Sequence, residues 1–317
     1  MTAARPNLFV IGASKCGTTF FHDLLSQHPD IFMSQKKELC YFNRPAPRDL
    51  KEYLSMFSEG GDHAFRGESS PIYCETLSFP NVPGDIHHFS PEAKIIYLVR
   101  EPFSRFRSVW AQTLCTGHWA EKKFYGMKMP TVYREAVFTY PTFLGACHYW
   151  TNLNNYRRYF SDRNISVILF EQFVADVQGT MRDVFTFLGV DPEAHINPDP
   201  RKQNSRAGKA IYRPWGKRFG SLVPDLVKDM LPPIVRLKLR DTINRLPLPE
   251  FDHTDLSVEE AGVIRQLLIS EVKALYEFLD IQNDPWNFMS SAGSGPFLTR
   301  ADRFQSPMLA GTRCQET

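Results

Sequence analysis

The chain has 317 residues and is 43% hydrophobic, enough to bury a sizeable core in one large α/β domain or two small ones. Lysine and arginine number 37 against 35 aspartates and glutamates, so no general positive field recruits nucleic acid, and any anion site must be local. The six cysteines are scattered without a C-x-x-C pair, and no run approaches roughly eighteen apolar residues; this argues against a zinc site, a disulfide framework and a membrane span, and fits a reducing cytoplasm.

Residues 1–6 read as an N-terminal extension. Residues 7–12, NLFVIG, form an apolar run closed by glycine, and after a small polar loop Phe20, Phe21, Leu24 and Leu25 recur at helical spacing. The unit is strand, loop, helix, and Pro29 closes it. KIIYLV at 94–99 repeats the pattern, with a turn at Glu101 and Pro102 and then the helical stretch FSRFRSVWAQ. Residues 115–141 lack a clear period and read as a loop-rich insertion placed over the acceptor site. A long aromatic-rich helix around 142–160 precedes a third strand at 165–170, ISVILF, and helical EQFVADVQGTMRDVFTFLG follows it. Strands alternating with helices imply a parallel sheet with helices on both faces. Residues 198–218 are dense in positive charge and read as a loop. An amphipathic helix is expected over 257–279, where Ser257 and Glu260 have capping-box spacing, and the tail 288–317 has the composition of a disordered segment. The main domain is therefore drawn over 7–287.

The first strand-to-helix turn reads Gly12-Ala13-Ser14-Lys15-Cys16-Gly17-Thr18-Thr19. Glycine allows close approach of the backbone to an anion, a helix start offers unpaired amides and positive partial charge, and lysine adds a full charge. The order differs from G-x-x-x-x-G-K-[ST], because Lys15 lies two positions before Gly17, and no strand ends in an aspartate suited to Mg²⁺. No metal is expected.

G-x-x-K-x-G-T-T after the first strand resembles the 5′-phosphosulfate loop of sulfotransferases that use 3′-phosphoadenosine 5′-phosphosulfate (PAPS). Residues 95–112, IIYLVREPFSRFRSVWAQ, are similar to that family's 3′-phosphate motif. The resemblance implies the sulfotransferase fold, a P-loop-type parallel sheet flanked by helices, with PAPS as donor and adenosine 3′,5′-bisphosphate as product. It implies donor contacts from Ser14, Lys15, Cys16, Gly17, Thr18 and Thr19 on one phosphate and from Arg100 and Ser108 on the other. The alternative is that Arg100 pairs with a carboxylate and Ser108 is a surface serine; Arg105 and Arg107 read as surface charges, with contact to the nucleotide as the alternative for either. Asn204-Ser205-Arg206-Ala207-Gly208-Lys209 loosely resembles the family's late basic loop, which puts Arg206 and Lys209 near the nucleotide.

The acceptor is a hydroxyl, with an amine as the alternative, and attack by a hydroxyl needs a base. Lys37-Glu38-Leu39-Cys40-Tyr41-Phe42 resembles the K-E-x-H-F-F segment of heparan-sulfate-type sulfotransferases, where the glutamate is the base. Glu38 takes that role here and Lys15 stabilises the leaving oxygen; the alternatives are an exposed glutamate at 38 or a histidine base. The chain departs from that subgroup at Cys40, Asn43 and Ser69, which stand where it has histidine, aspartate and lysine. The resemblance spans roughly residues 7–285. Two other function classes stay open: an ATP-dependent P-loop phosphotransferase, and a non-catalytic nucleotide-binding protein. The acceptor is a small molecule or glycan, with a lean towards carbohydrate, and the sequence carries no sign of oligomeric state.

Overall fold

The computed structural model describes residues 5–45, 47–116, 123–199 and 255–289. Its centre is a five-stranded sheet in the order β2-β3-β1-β4-β7, built from β1 (Leu8–Gly12), β2 (Ile31–Met33), β3 (Phe65–Ser69), β4 (Lys94–Val99) and β7 (Ile165–Leu169). Every pairing is parallel, with Val10 opposite Ser69 on one side and Ile96 on the other, and Val99 opposite Leu169. All of β1 and nearly all of β4 are buried, as strands covered on both faces must be.

The helices run between these strands. After β1 comes α1 (Thr18–Leu25); α2 (Leu50–Ser55) precedes β3, and α3 (Val82–Phe89) precedes β4. Then follow α4 (Pro102–Thr116), a two-stranded hairpin of β5 (Lys123–Phe124) and β6 (Met127–Lys128), and α5 (Tyr133–Thr139). The insertion thus carries its own hairpin and helix, and is less loop-rich than its sequence suggests. The expected long helix at 142–160 is instead α6 (Pro141–Leu144), a 3-10 turn at Gly145–Cys147, and α7 (Tyr149–Arg157). His148, at φ −72° and ψ 63°, is the non-helical residue that separates them.

Past β7, α8 (Phe170–Ala175) and α9 (Val177–Leu188) are divided at Asp176, whose carboxylate accepts the Gly179 amide and caps α9. The last described helix, α10 (Val258–Phe278), opens with the expected capping box: Ser257 Oγ accepts the Glu260 amide while Glu260 accepts the Ser257 amide. Glu271 ties α10 to α7 by accepting both the backbone amide and the hydroxyl of Thr151. Among the described residues no helix is long and apolar enough to cross a membrane.

In this strand order the chain leaves β1 towards β2 and β3 but leaves β4 towards β7, so the crevice at their carboxyl ends is a topological switch point, where open α/β sheets bind ligands.

Candidate active site

At the end of β1 the chain turns through Gly12 and reaches Gly17 at φ +80°, immediately before α1. A Cβ at Gly17 would lie 2.9 Å from the Phe170 ring, so both conformation and space call for glycine. No side chain caps α1, which leaves its first-turn amides available to a ligand. Lys15 also has a left-handed backbone, at φ +73°, and its Nζ donates to Gln112 Oε1 of α4 at 3.2 Å.

The second junction meets the first here. Arg100, directly after β4, donates from Nη1 to the Lys15 carbonyl at 3.1 Å and to Ser108 Oγ at 3.4 Å. Its guanidinium lies 4.4 Å from the Phe170 ring centre, and its carbonyl accepts the Tyr149 hydroxyl at 2.6 Å. Glu101 accepts the Phe103 and Ser104 amides at 2.9 and 2.6 Å, so the Glu-Pro turn is itself the N-terminal cap of α4. Residues separated by about eighty positions thus share one hydrogen-bonded unit.

A cavity of about 270 Å³ opens beside the loop, and Ser14, Lys15, Thr18, Thr19, Glu38 and Cys40 line it. Arg100 and Ser108 do not; Ser108 is 3% exposed, and Arg100 is bonded to it and to the Lys15 carbonyl. Cys16 departs from the sequence-based expectation. It is buried in the core, burial pushes its thiol up to about 12, and its amide donates back to the Ala13 carbonyl. Arg105 also departs, because it is 0% exposed and donates to the Thr142 and Phe143 carbonyls rather than standing on the surface. Arg206 and Lys209 lie outside the described residues.

Glu38 sits at φ +59° with its side chain 60% exposed. Its position is set from beneath by Glu68, a buried carboxylate that accepts Tyr53 Oη at 2.6 Å, Ser70 Oγ at 2.7 Å and Tyr73 Oη at 3.2 Å. Ser70 Oγ in turn accepts the Cys40 amide, and Tyr73 Oη accepts the Tyr41 and Phe42 amides. Burial pushes the Glu68 carboxyl up, and the hydroxyls that bond it pull the other way. At the three departures from the heparan-type pattern, Cys40 is half-buried on the cavity, Asn43 Oδ1 is buried without a partner, and Ser69 Oγ bonds His22 Nδ1 at 2.9 Å.

No described histidine lines the cavity. Burial, and then the charge of Lys37, push His22 down to about 4; His148 faces Glu271 at 3.5 Å. Among the described residues no group of His, Cys, Asp and Glu could hold a metal ion.

A sulfotransferase domain model matches residues 5–205. The chain belongs to the sulfotransferase family. Heparan sulfate glucosamine 3-O-sulfotransferase 6 of Mus musculus is 29% identical over 190 residues, covering 58% of this chain and 52% of that protein. Membrane-associated sulfotransferase kil1 of Dictyostelium discoideum is 34% identical over 103 residues, 32% of this chain and 21% of that one. The chain therefore spans about half the length, or less, of these relatives. A crystal structure of a sulfotransferase from Alicyclobacillus acidocaldarius shares the fold, with a TM-score of 0.61 at 20% identity over 90% of this chain and 99% of that one.

Two residues of this sulfotransferase were not singled out by the sequence as site residues. Lys37 Nζ lies 3.3 Å from both Thr18 Oγ1 and Glu38 Oε1, which links the loop to the Glu38 segment. Burial pulls its ammonium down, against the raising effect of Glu38. Glu75 lines the cavity at 4% exposure and accepts the Tyr125 hydroxyl. The signal for Lys37 was its adjacency to Glu38; Glu75 had none, since its partner is fifty residues away in sequence.

Proposed function

We propose that this sulfotransferase moves the sulfuryl group of PAPS onto an acceptor hydroxyl, with a carbohydrate or glycosylated metabolite as acceptor. The observation that carries the reading is the Lys15–Arg100–Ser108 unit, which joins two strand-to-helix junctions at the switch point of the sheet. A donor with phosphates on both sides of its ribose needs two such cationic junctions. Arg100 Nε is buried with no partner, an orphan donor suited to an anion, and the uncapped start of α1 supplies amides for the other phosphate. The carbohydrate assignment is supported by the names of the relatives and by the Lys37-Glu38 segment.

In the reaction, Glu38 accepts the proton of the acceptor hydroxyl, the acceptor oxygen forms a bond to sulfur, and the sulfur–oxygen bond to the 5′-phosphate breaks. Adenosine 3′,5′-bisphosphate leaves. Lys15 and the first-turn amides of α1 stabilise the charge that grows on the departing phosphate oxygen, and Lys37 holds Glu38 beside Thr18.

Incubation of the protein with labelled PAPS and a cell extract, followed by mass spectrometry, should reveal products heavier by one SO₃. Lys15→Ala should lose at least about a hundredfold in turnover, the scale of an oxyanion-hole deletion. A variant within about threefold of the parent would refute the role given to Lys15.

A further inference from the structure

The cavity lining is mixed. The loop contributes Lys15 and hydroxyls, Ile72, Val109 and Met129 contribute apolar surface, and beside Glu75 the lining also holds Tyr140 and Thr142. Glu75 Oε2 accepts the Tyr125 hydroxyl, and the Tyr125 oxygen takes a hydrogen bond from Thr142 Oγ1 at 3.4 Å. Oε1 receives no hydrogen bond from any described residue, and no described cation forms an ion pair with Glu75. Arg105 acts on it only through space: no hydrogen bond or ion pair joins the two, and both Arg105 Nη atoms donate to the carbonyls of Thr142 and Phe143.

A buried carboxylate is costly unless something donates to it. Burial pushes Glu75 up to about 7, against the lowering effects of Tyr125 and Arg105, so the fold holds it where a donor would be welcome. With Glu38 it places two carboxylates against one lysine on the cavity lining. The part of the lining around Glu75, away from the Lys15 loop, favours hydroxyl donors and repels anions.

Resting on the transfer reaction above, we propose that Glu75 determines acceptor specificity: its free oxygen accepts a hydrogen bond from the acceptor, and its charge excludes acceptors with a sulfate or carboxylate near the reacting hydroxyl. The acceptor class is then an uncharged glycoside with an apolar flank, not a polyanionic glycan.

Octyl β-glucoside and octyl β-glucuronide differ by one carboxylate and test this directly. Calorimetric titration of each at pH 8, with the protein saturated in adenosine 3′,5′-bisphosphate, should show the glucoside binding at least about tenfold more tightly. In Glu75→Gln the preference should fall to within about threefold, with bisphosphate affinity unchanged. Tyr125→Phe removes the hydroxyl but keeps the carboxylate, so it should retain the preference even if Glu75→Gln does not fold. Equal binding, preference for the glucuronide, binding of neither sugar, or loss of the preference in Tyr125→Phe would overturn the proposal. A parent protein that prefers the glucoside but does not bind bisphosphate would overturn the donor reading and leave this one standing.

Discussion

Replacing Glu75 with glutamine removes a titration from the middle of the fold while keeping the shape of the side chain. The folded carboxyl titrates at about 7 because it is buried, against an ordinary value of 4.5. Below pH 4.5 the group is protonated in both states and costs nothing. As pH rises the unfolded chain ionises first, so the stability contributed by the protonated folded form is lost progressively and is gone once pH passes about 7. The difference of about 2.5 pK units corresponds to about 3 kcal/mol, and at 4% exposure solvent screening does not reduce it much. Thermal melts of parent and Glu75→Gln at a series of pH values isolate this residue, because Glu68, also pushed up by burial, is common to both. The variant should gain on the parent by about 3–5 °C between pH 5 and pH 8. A difference in Tm that stays constant across that range would show that Glu75 is not held in a low-dielectric site, and would refute the reasoning.

Gly17→Ala puts a methyl group 2.9 Å from the Phe170 ring and forces φ +80° on an L-residue, so it should cost about 1–3 kcal/mol in urea denaturation and weaken bisphosphate binding at least about tenfold. Unchanged binding would separate the loop conformation from anion recognition. Tyr73→Phe removes the oxygen that accepts the Tyr41 and Phe42 amides and donates to Glu68, leaving buried groups unpaired at about 1–3 kcal/mol. It should lower kcat more than it changes bisphosphate affinity, because the Glu38 segment shifts while the loop stays. Equal losses in both would contradict that division.

The elements most legible in the sequence were those whose burial shows as unbroken apolar runs. LFVIG, KIIYLV and ISVIL are strands close to where their composition places them. β2 was invisible because it is three residues long, and β3 because its buried positions include Glu68 and Ser69, which read as polar loop. The same polarity hid the function of β3: Glu68 is buried so that its neighbours can hold the Glu38 segment. The turn from β1 into α1 was legible because Gly12 and Gly17 stand where the chain needs their conformational freedom. The burial of Cys16 and the return of its amide to Ala13 were not legible, because they arise from the path of the loop and not from its composition. Arg105 was misread as exposed because carbonyls, rather than a carboxylate in a recognisable motif, satisfy it. Glu75 and Tyr125 meet only through tertiary structure.

On the proposed reading two junctions, one holding Lys15 and the other Arg100, together grip an adenosine phosphorylated at both ends. Titration of adenosine 3′,5′-bisphosphate against ATP, with and without Mg²⁺, tests it most directly. The bisphosphate should bind tightly without metal, at least about tenfold less tightly in Arg100→Ala, and Mg-ATP should bind only feebly. Tighter binding of Mg-ATP than of the bisphosphate, or indifference to the loss of Arg100, would contradict it.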